Sequence, residues 1–597
     1  LGNPLINRIA FLPQNHWLNT YQRRYLAQDL SAAAVVTVLL IPQSLAYAML
    51  AGVPPEVGLY ASILPLVAYA LFGTSRTLSV GPVAIISLMT ATTLGSVAAE
   101  GTASYLTAAS VLAMLSGLFL LAMGILRLGF ISHFLSHAVI SGFISASGVL
   151  IALGQISHIL GVSATGNTMV DLLPALLANL SDIQWPTLAI GGFALLFLYL
   201  SRIRFLRWLT YAGLSPHLAS IALKTAPIVV VGLTASSAYL WQLESAGVSL
   251  TGTVPAGLPT IGFSMPSSEL VRQLALPALL MSLIGYVESI SIGRTLASKR
   301  QQKIDPNQEL VGLGMANVAS SVSGGIPVTG GFSRSVVNFD AGAVTQAASI
   351  MTAVGIAMAS LFLTPLLYYL PKATLAAIII VAVASLVDTS ILQKTWRFSR
   401  SDFWAVMTTV VVTLLAGVEA GLACGVGLSI ALHLYRTSKP HIAEVGLIEG
   451  TEHFRNVRRY KVETLPHVIT LRPDESLFFA NAAYLEDKVH EAIYERDSIA
   501  HVIVLCSAVN EVDFSALETL EALNKYLANQ GIKLHLSEVK GPVMDRLVST
   551  GLLAHLGGQV YISQFEAFED LRESVQRETD PPIMDLTSDS ISTRNTS

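Results

Sequence analysis

The chain has 597 residues, 52% hydrophobic and 12% charged, with a formal net charge of −4. A soluble protein carries about 25% charged residues, so a wholly soluble fold is excluded and membrane-spanning helices are predicted. The near-balanced charge gives no basic surface for nucleic acid, and the two cysteines, Cys424 and Cys506, offer neither a disulfide framework nor a metal-ligand spacing.

Residues 1–28 lack the layout of a signal peptide and read as a cytoplasmic N-terminal segment. A transmembrane region follows over 29–439. From Asp29 to Ser75 the only charges are Asp29 and Glu56, and from Thr77 to Leu126 the only one is Glu100. Apolar stretches recur at about 30–50, 57–73, 80–98, 105–126, 131–160, 185–201, 217–241, 274–296, 307–323, 331–340, 345–369, 373–388, 401–417 and 419–437. Alternate ends of these stretches collect bases such as Arg76, Arg127, Arg202, Arg300 and Arg436, while the opposite ends collect acids such as Glu100, Asp182, Glu244 and Glu419. The basic side is cytoplasmic by the positive-inside rule, and an even number of elements puts both termini there. Residues 29–240 and 274–437 each hold about seven elements, and an odd-numbered repeat must be inverted to place its copy across the membrane.

Two segments interrupt the apolar pattern in the same way: SVGPVAIISLM at 79–89 and GGIPVTGGFSRSVVNF at 324–339. Each sets Gly, Pro and hydroxyl residues before a short apolar run. Unwound backbone at membrane depth is tolerated only where protein or a wet cavity surrounds it. A helix starting there aims unpaired N–H groups and its positive dipole end into that space, which predicts an anion site near the midplane.

From residue 440 to 577 the pattern turns soluble. Strands are predicted at 467–473, 501–507 and 532–539, and helices at 482–495, at 514–531 and from Gly541, with Pro542 in the first turn. This is a small α/β domain. The tail, 578–597, is rich in Ser, Thr and Asp and is predicted to be disordered.

The stretch IPQSLAYAMLAGVPPEVGLYASILPLVAYALFGTSRTLSVGPVAIISLM at 41–89 closely resembles the signature region of the SulP family of anion transporters. GYVESISIGRTLASK at 285–299 and PVTGGFSRSVVN at 327–338 resemble its second-half signatures, and the soluble domain resembles a STAS domain. The resemblance implies a polytopic α-helical membrane protein with about fourteen transmembrane segments in a seven-plus-seven inverted repeat. It also implies a core domain that carries substrate by elevator-like motion, a gate domain, homodimerisation and a cytoplasmic STAS domain.

Site residues follow from the motifs and the resemblance together. Gly81, Pro82 and Val83 open the third helix, and Gly331, Phe332, Ser333 and Arg334 open the tenth. In the family, backbone amides at these starts face the anion, and Ser333 can add a hydroxyl donor; the bland alternative is close helix packing. Arg334 either supplies positive potential at the site or lies beside it and pairs with an acid such as Glu288. Gln43 and Tyr47, four apart, share one helix face and can donate hydrogen bonds; the resemblance places them in the pocket, against a plain polar helix contact. Glu288 is a proton-carrier candidate, the family's proton-coupled members having a glutamate there, against a permanent structural ion pair. Ser291 and Thr295 follow at helical spacing and, with Glu288, form the sodium alternative. Asp29 and Asp402 read as N-terminal caps. The clusters Arg202–Arg207 and Arg397–Arg400 read as topological anchors. The loop Asp513-Phe514-Ser515-Ala516 has phenylalanine where anti-sigma antagonists of the STAS fold carry a phosphorylated serine, which leaves Ser515 only a weak candidate for such a switch.

The expected function is secondary active transport of a small inorganic oxyanion, sulfate by proton symport. Alternatives are sodium-coupled bicarbonate transport, dicarboxylate transport, and a passive anion exchanger or channel; a sensor and a nucleobase permease fit less well. Chloride is a further candidate anion. No cofactor is expected, and no Walker loop, metal cluster or nucleophile triad points to an enzyme. The expected partners are the anion, a co-transported proton or sodium ion, the lipid bilayer and a second copy of the chain. Compact loops suggest a bacterial inner membrane.

Overall fold

The computed structural model describes residues 17–133, 136–164, 166–205, 211, 213, 225–496 and 498–579. The predicted disordered tail, beyond Thr579, lies outside the described residues, as do most of the N-terminal segment and Arg207. The chain divides into two compact units, Leu1–Ile430 and Ala431–Ser597. The division falls inside the helix Val418–Ser438 rather than at 439/440. The Thr437 carbonyl accepts from Asn481 Nδ2 at 3.4 Å, which ties the last helical turn to the second unit.

In the first unit the helical elements follow the predicted apolar stretches in order. Among the described residues, seven helices are long and apolar enough to cross a membrane. The first, Leu26–Leu50, tolerates Pro42 because every residue from Pro42 to Ala48 is buried. The second element is broken into Pro55–Tyr60 and Leu64–Phe72, each with proline in its first turn. The third and tenth are half-helices, Ala84–Gly95 and Phe332–Asp340, too short to span a bilayer. Glu288 sits in the 32-residue helix Ser268–Lys299.

Among the described residues of this unit, two helices of nine or more residues were not predicted. Met169–Ala178 lies between spans. Ser390–Phe398 carries Lys394 and Arg397 and exposes Trp396 and Phe398, a composition suited to the membrane interface.

Two apolar clusters organise this unit. One gathers Met89, Tyr105, Leu112, Tyr286 and Leu310. The other gathers Leu40, Leu66, Ile151, Leu198 and Ile379. Ile85 belongs to the first and Ala84 to the second, so the first half-helix begins at the seam between them.

Buried carboxylates staple distant segments. Glu309 accepts from Tyr69 Oη at 2.6 Å, Thr74 N at 2.7 Å, Thr74 Oγ1 at 2.5 Å and Ser75 N at 3.0 Å. Asp29 does not cap its own helix. Its carboxylate accepts from Val344 N at 2.7 Å and from Thr345 N and Oγ1 at 3.1 and 2.6 Å, joining the first helix to the chain beyond the second half-helix. Asp402 also departs from the predicted cap. Ser399 is the N-cap, and its hydroxyl accepts from Asp402 N.

The second unit is a six-stranded mixed sheet, ordered β4-β3-β5-β6-β7-β8. Its strands are β3 (Ile442–Leu447), β4 (Phe454–Asn456), β5 (Val468–Pro473), β6 (His501–Leu505), β7 (Lys533–Ser537) and β8 (Val560–Tyr561). β5 to β8 run parallel, and β3 pairs antiparallel with β4 and β5. Helices Ala482–Tyr494 and Phe514–Asn529 bury Val489 and Leu523 in the core on one face, while Phe568 of Gln564–Thr579 belongs to the core of the other. Asp513 is the N-cap of Phe514–Asn529: one carboxylate oxygen accepts from Ala516 N at 2.8 Å and the other from Phe479 N at 2.9 Å.

Candidate functional site

The two interrupted segments meet. β1 (Val80–Gly81) pairs antiparallel with β2 (Thr329–Gly330), Val80 opposite Gly330 and Gly81 opposite Thr329. Each strand is followed at once by its half-helix, so the two helix starts lie side by side and leave the pairing in opposite directions. That is the relation an inverted repeat requires. Val83 caps Ala84–Gly95 and Gly331 caps Phe332–Asp340. The N–H groups of Ala84 to Ile86 and of Phe332 to Arg334 therefore have no intrahelical acceptor.

Unwound backbone in an apolar interior needs other partners. Side chains of the second half supply them for residues 75–82. Gln346 Nε2 donates to the carbonyls of Ser75 and Leu78, and Asn338 Nδ2 to that of Thr77 at 3.0 Å. Ser335 Oγ accepts from Ser79 N at 3.0 Å. Arg334 then donates four times: Nε to Ser79 O at 2.9 Å, Nη1 to Pro82 O at 3.0 Å, and Nη2 to Gly81 O at 2.6 Å and Thr329 O at 2.7 Å. β2 is fixed on its other side by Ser289, whose Oγ accepts from Gly330 N at 2.9 Å, and by Asn317, which exchanges two bonds with Val328.

These contacts revise the predicted roles of Arg334 and its glycines. Arg334 is 3% exposed and makes no ion pair with Glu288. Its guanidinium clasps both strands from within. A Cβ on Gly81 would stand 2.8 Å from Arg334 Nη1, and one on Gly331 2.6 Å from Nε, so both glycines make room for the guanidinium. The carbonyls of Gly81 and Pro82 face Arg334, and Pro82 has no N–H to offer. The donors of the first half-helix start are those from the N-cap Val83 onward.

A cavity of about 200 Å³ adjoins the second half-helix. Its lining includes Gln43 and Leu39 of the first helix, Ser333 and Val337 of the half-helix, Arg202, and Ile378 of the helix Lys372–Ala384. Gln43 and Ser333 are thus brought together, and neither side chain has a hydrogen-bond partner among the described residues. Tyr47, one turn beyond Gln43, is buried at the same helix but outside that lining, as are Gly81 to Val83, Phe332 and Arg334. Phe332 is half exposed.

Glu288 is buried beside Ser289, and its Oε2 has no hydrogen-bond partner among the described residues. Ser291 and Thr295 are exposed, and the Thr295 hydroxyl donates to the Ser291 carbonyl at 2.8 Å. Arg202 is the lining residue that sequence reading missed, because it sat in an apparent anchor cluster; the signal available was only its place at the end of an apolar helix.

Comparison with known proteins agrees along most of the chain. The model of the sulfate permease family matches residues 26–409, and that of the STAS domain matches residues 459–579. The chain is 36% identical over 564 residues to the chloroplastic sulfate transporter 4.1 of Arabidopsis thaliana, covering 92% of this chain and 80% of that one. It is 31% identical over 557 residues to a probable sulfate transporter of Mycobacterium tuberculosis, covering 93% and 96%. Its fold matches the murine Solute Carrier 26 family member A9 anion transporter at a TM-score of 0.84, with 23% identity over 94% of both chains. The transmembrane domain of a cyanobacterial bicarbonate transporter matches at 0.59, with 23% identity over 68% of this chain and 99% of that one. With the paired half-helices and the sheet domain beyond them, these matches show that the chain belongs to the sulfate permease family, a family of multi-pass membrane transporters rather than enzymes.

Proposed function

We propose that the protein is a secondary active transporter of a small inorganic oxyanion, sulfate foremost, driven by proton symport. The observation that carries this reading is the β1–β2 pairing, which sets two half-helix N-termini side by side in a buried seam. Free N–H groups and two converging dipole ends suit an oxyanion. The names of the relatives that are more than 30% identical favour sulfate. The open cavity beside Gln43 and Ser333 is the anion's proposed position. Glu288, buried with one carboxylate oxygen unpartnered, is the proposed proton carrier. Elevator-like movement of the half-helix body, assembly as a homodimer, a bacterial inner membrane and cytoplasmic termini complete the proposal.

The test is uptake of labelled sulfate or bicarbonate into proteoliposomes, with imposed proton or sodium gradients. Sulfate accumulation driven by an inward proton gradient is the expected result. Sodium-dependent bicarbonate accumulation would replace the substrate and the coupling ion together. Equilibration without accumulation under either gradient would make the protein a passive exchanger or channel.

A further inference from the structure

Arg334 is the cation the motif displays, yet all its bonds in the structure go to backbone carbonyls. The cavity beside it has a different cation. Arg202 lies in the π-helical turn Ser201–Phe205 that extends the helix Trp185–Leu200. Such turns re-aim side chains and are frequent at functional sites. Among the described residues lining the cavity, Arg202 is the one with a formal charge. Its side chain is exposed and has no hydrogen-bond or ion-pair partner among the described residues. The same lining holds the Gln43 amide, 7% exposed and equally without a partner among the described residues, and the Ser333 hydroxyl.

We propose that Arg202 is the anion-coordinating cation of this cavity and sets its preference for doubly over singly charged oxyanions. The inference rests on the transporter reading above. A guanidinium offers two parallel donors that fit two oxygens of a tetrahedral oxyanion, while Gln43 and Ser333 supply directional donors from the same lining. Coulomb attraction scales with the charge of the anion, so sulfate gains more from Arg202 than bicarbonate or chloride does. A purely topological anchor would show no such discrimination.

The experiment compares wild type, R202Q and R202K in proteoliposomes, measuring KM and Vmax for sulfate, bicarbonate and chloride at low and high ionic strength. R202Q is expected to raise the KM for sulfate by about tenfold, with a smaller change in Vmax. It should raise the KM for the monovalent anions less and flatten the salt dependence, while R202K keeps most of that dependence. If R202Q does not fold, R202M, which keeps much of the apolar stem, takes its place. Unchanged sulfate KM, selectivity and salt dependence in the neutral variant overturn the inference and leave the transporter reading standing. Absence of saturable uptake of any of the three anions by wild type overturns the transporter reading and the inference with it.

Discussion

Arg334 and Gly81 occupy one space: Nη2 donates to the Gly81 carbonyl at 2.6 Å, and a Cβ on Gly81 would stand 2.8 Å from Nη1. The contact makes the arginine a structural member of the cradle. Arg334→Ala removes four hydrogen bonds from buried carbonyls, of which Ser79 O keeps the Gly331 amide, at about 3 kcal/mol or more. The expected outcome is a lower Tm in detergent together with lost uptake, and Gly81→Ala should follow it. A raised KM at unchanged Tm would contradict the clasp.

Ser333 and Gln43 carry no such structural burden. Ser333→Ala and Gln43→Ala are expected to keep the wild-type Tm and raise the KM for sulfate a few-fold, each by about 1 kcal/mol. No change in KM for either variant would move the anion away from this cavity.

Glu288→Gln keeps size and hydrogen-bonding capacity but cannot take up a proton. Proton-driven accumulation should disappear while sulfate–sulfate counterflow survives. Full pH-dependent accumulation in the variant would remove Glu288 from the coupling step.

Glu309 is a buried carboxylate of another kind, with partners on both oxygens. Glu309→Ala leaves Tyr69 Oη and the Thr74 and Ser75 amides without an acceptor, a cost of about 3 kcal/mol. Thermal unfolding of the purified variant should begin well below wild type, and an unchanged Tm would show that the staple carries little of the fold's stability.

The STAS sheet should weaken in acid. His535 Nδ1 accepts from Gln559 N at 3.0 Å, and its Nε2 stands 3.0 Å from His501 Nδ1, a pattern that suits the neutral ring. Burial, then the neighbouring His501 and Lys533, push its pKa down to about 4 from the ordinary 6.5. Below pH 6.5 the unfolded chain binds the proton first, so this contribution is full above 6.5 and is lost as pH falls towards 4. Hydrogen exchange of β6 and β7 in the full chain, corrected for intrinsic rates, should show protection falling over that window. An identical acid profile in His535→Asn would count against the assignment.

Much of this arrangement was legible in the chain, for physical reasons. Gly and Pro clusters inside apolar runs mark broken helices because few other residues interrupt a membrane helix there, and both half-helices begin where those clusters predicted. In the STAS domain β5, β6 and β7 stood out as apolar runs between amphipathic helices. β4 and β8, three and two residues long, are too short to leave a pattern, and β3 follows the last membrane helix with little break. The clasp was hidden for a different reason. An arginine after Gly-Gly-Phe-Ser looks the same whether it faces an anion or four turned carbonyls, and three of those acceptors lie about 250 positions away. Arg202 was masked by Arg204 and Arg207, which made it look like part of a positive-inside cluster.

The pairing of β1 with β2 also has a consequence for biosynthesis. Ser79 and Arg334 are 255 residues apart in sequence. At about 5–20 residues per second, the ribosome delivers the second partner roughly 10–50 s after the first. Until then the carbonyls of residues 75–82 have none of the donors that later hold them, and an apolar bilayer offers no substitute. The first half-helix therefore reaches its final seat only after the second emerges, and the cradle is completed late in synthesis, as a joint product of both halves.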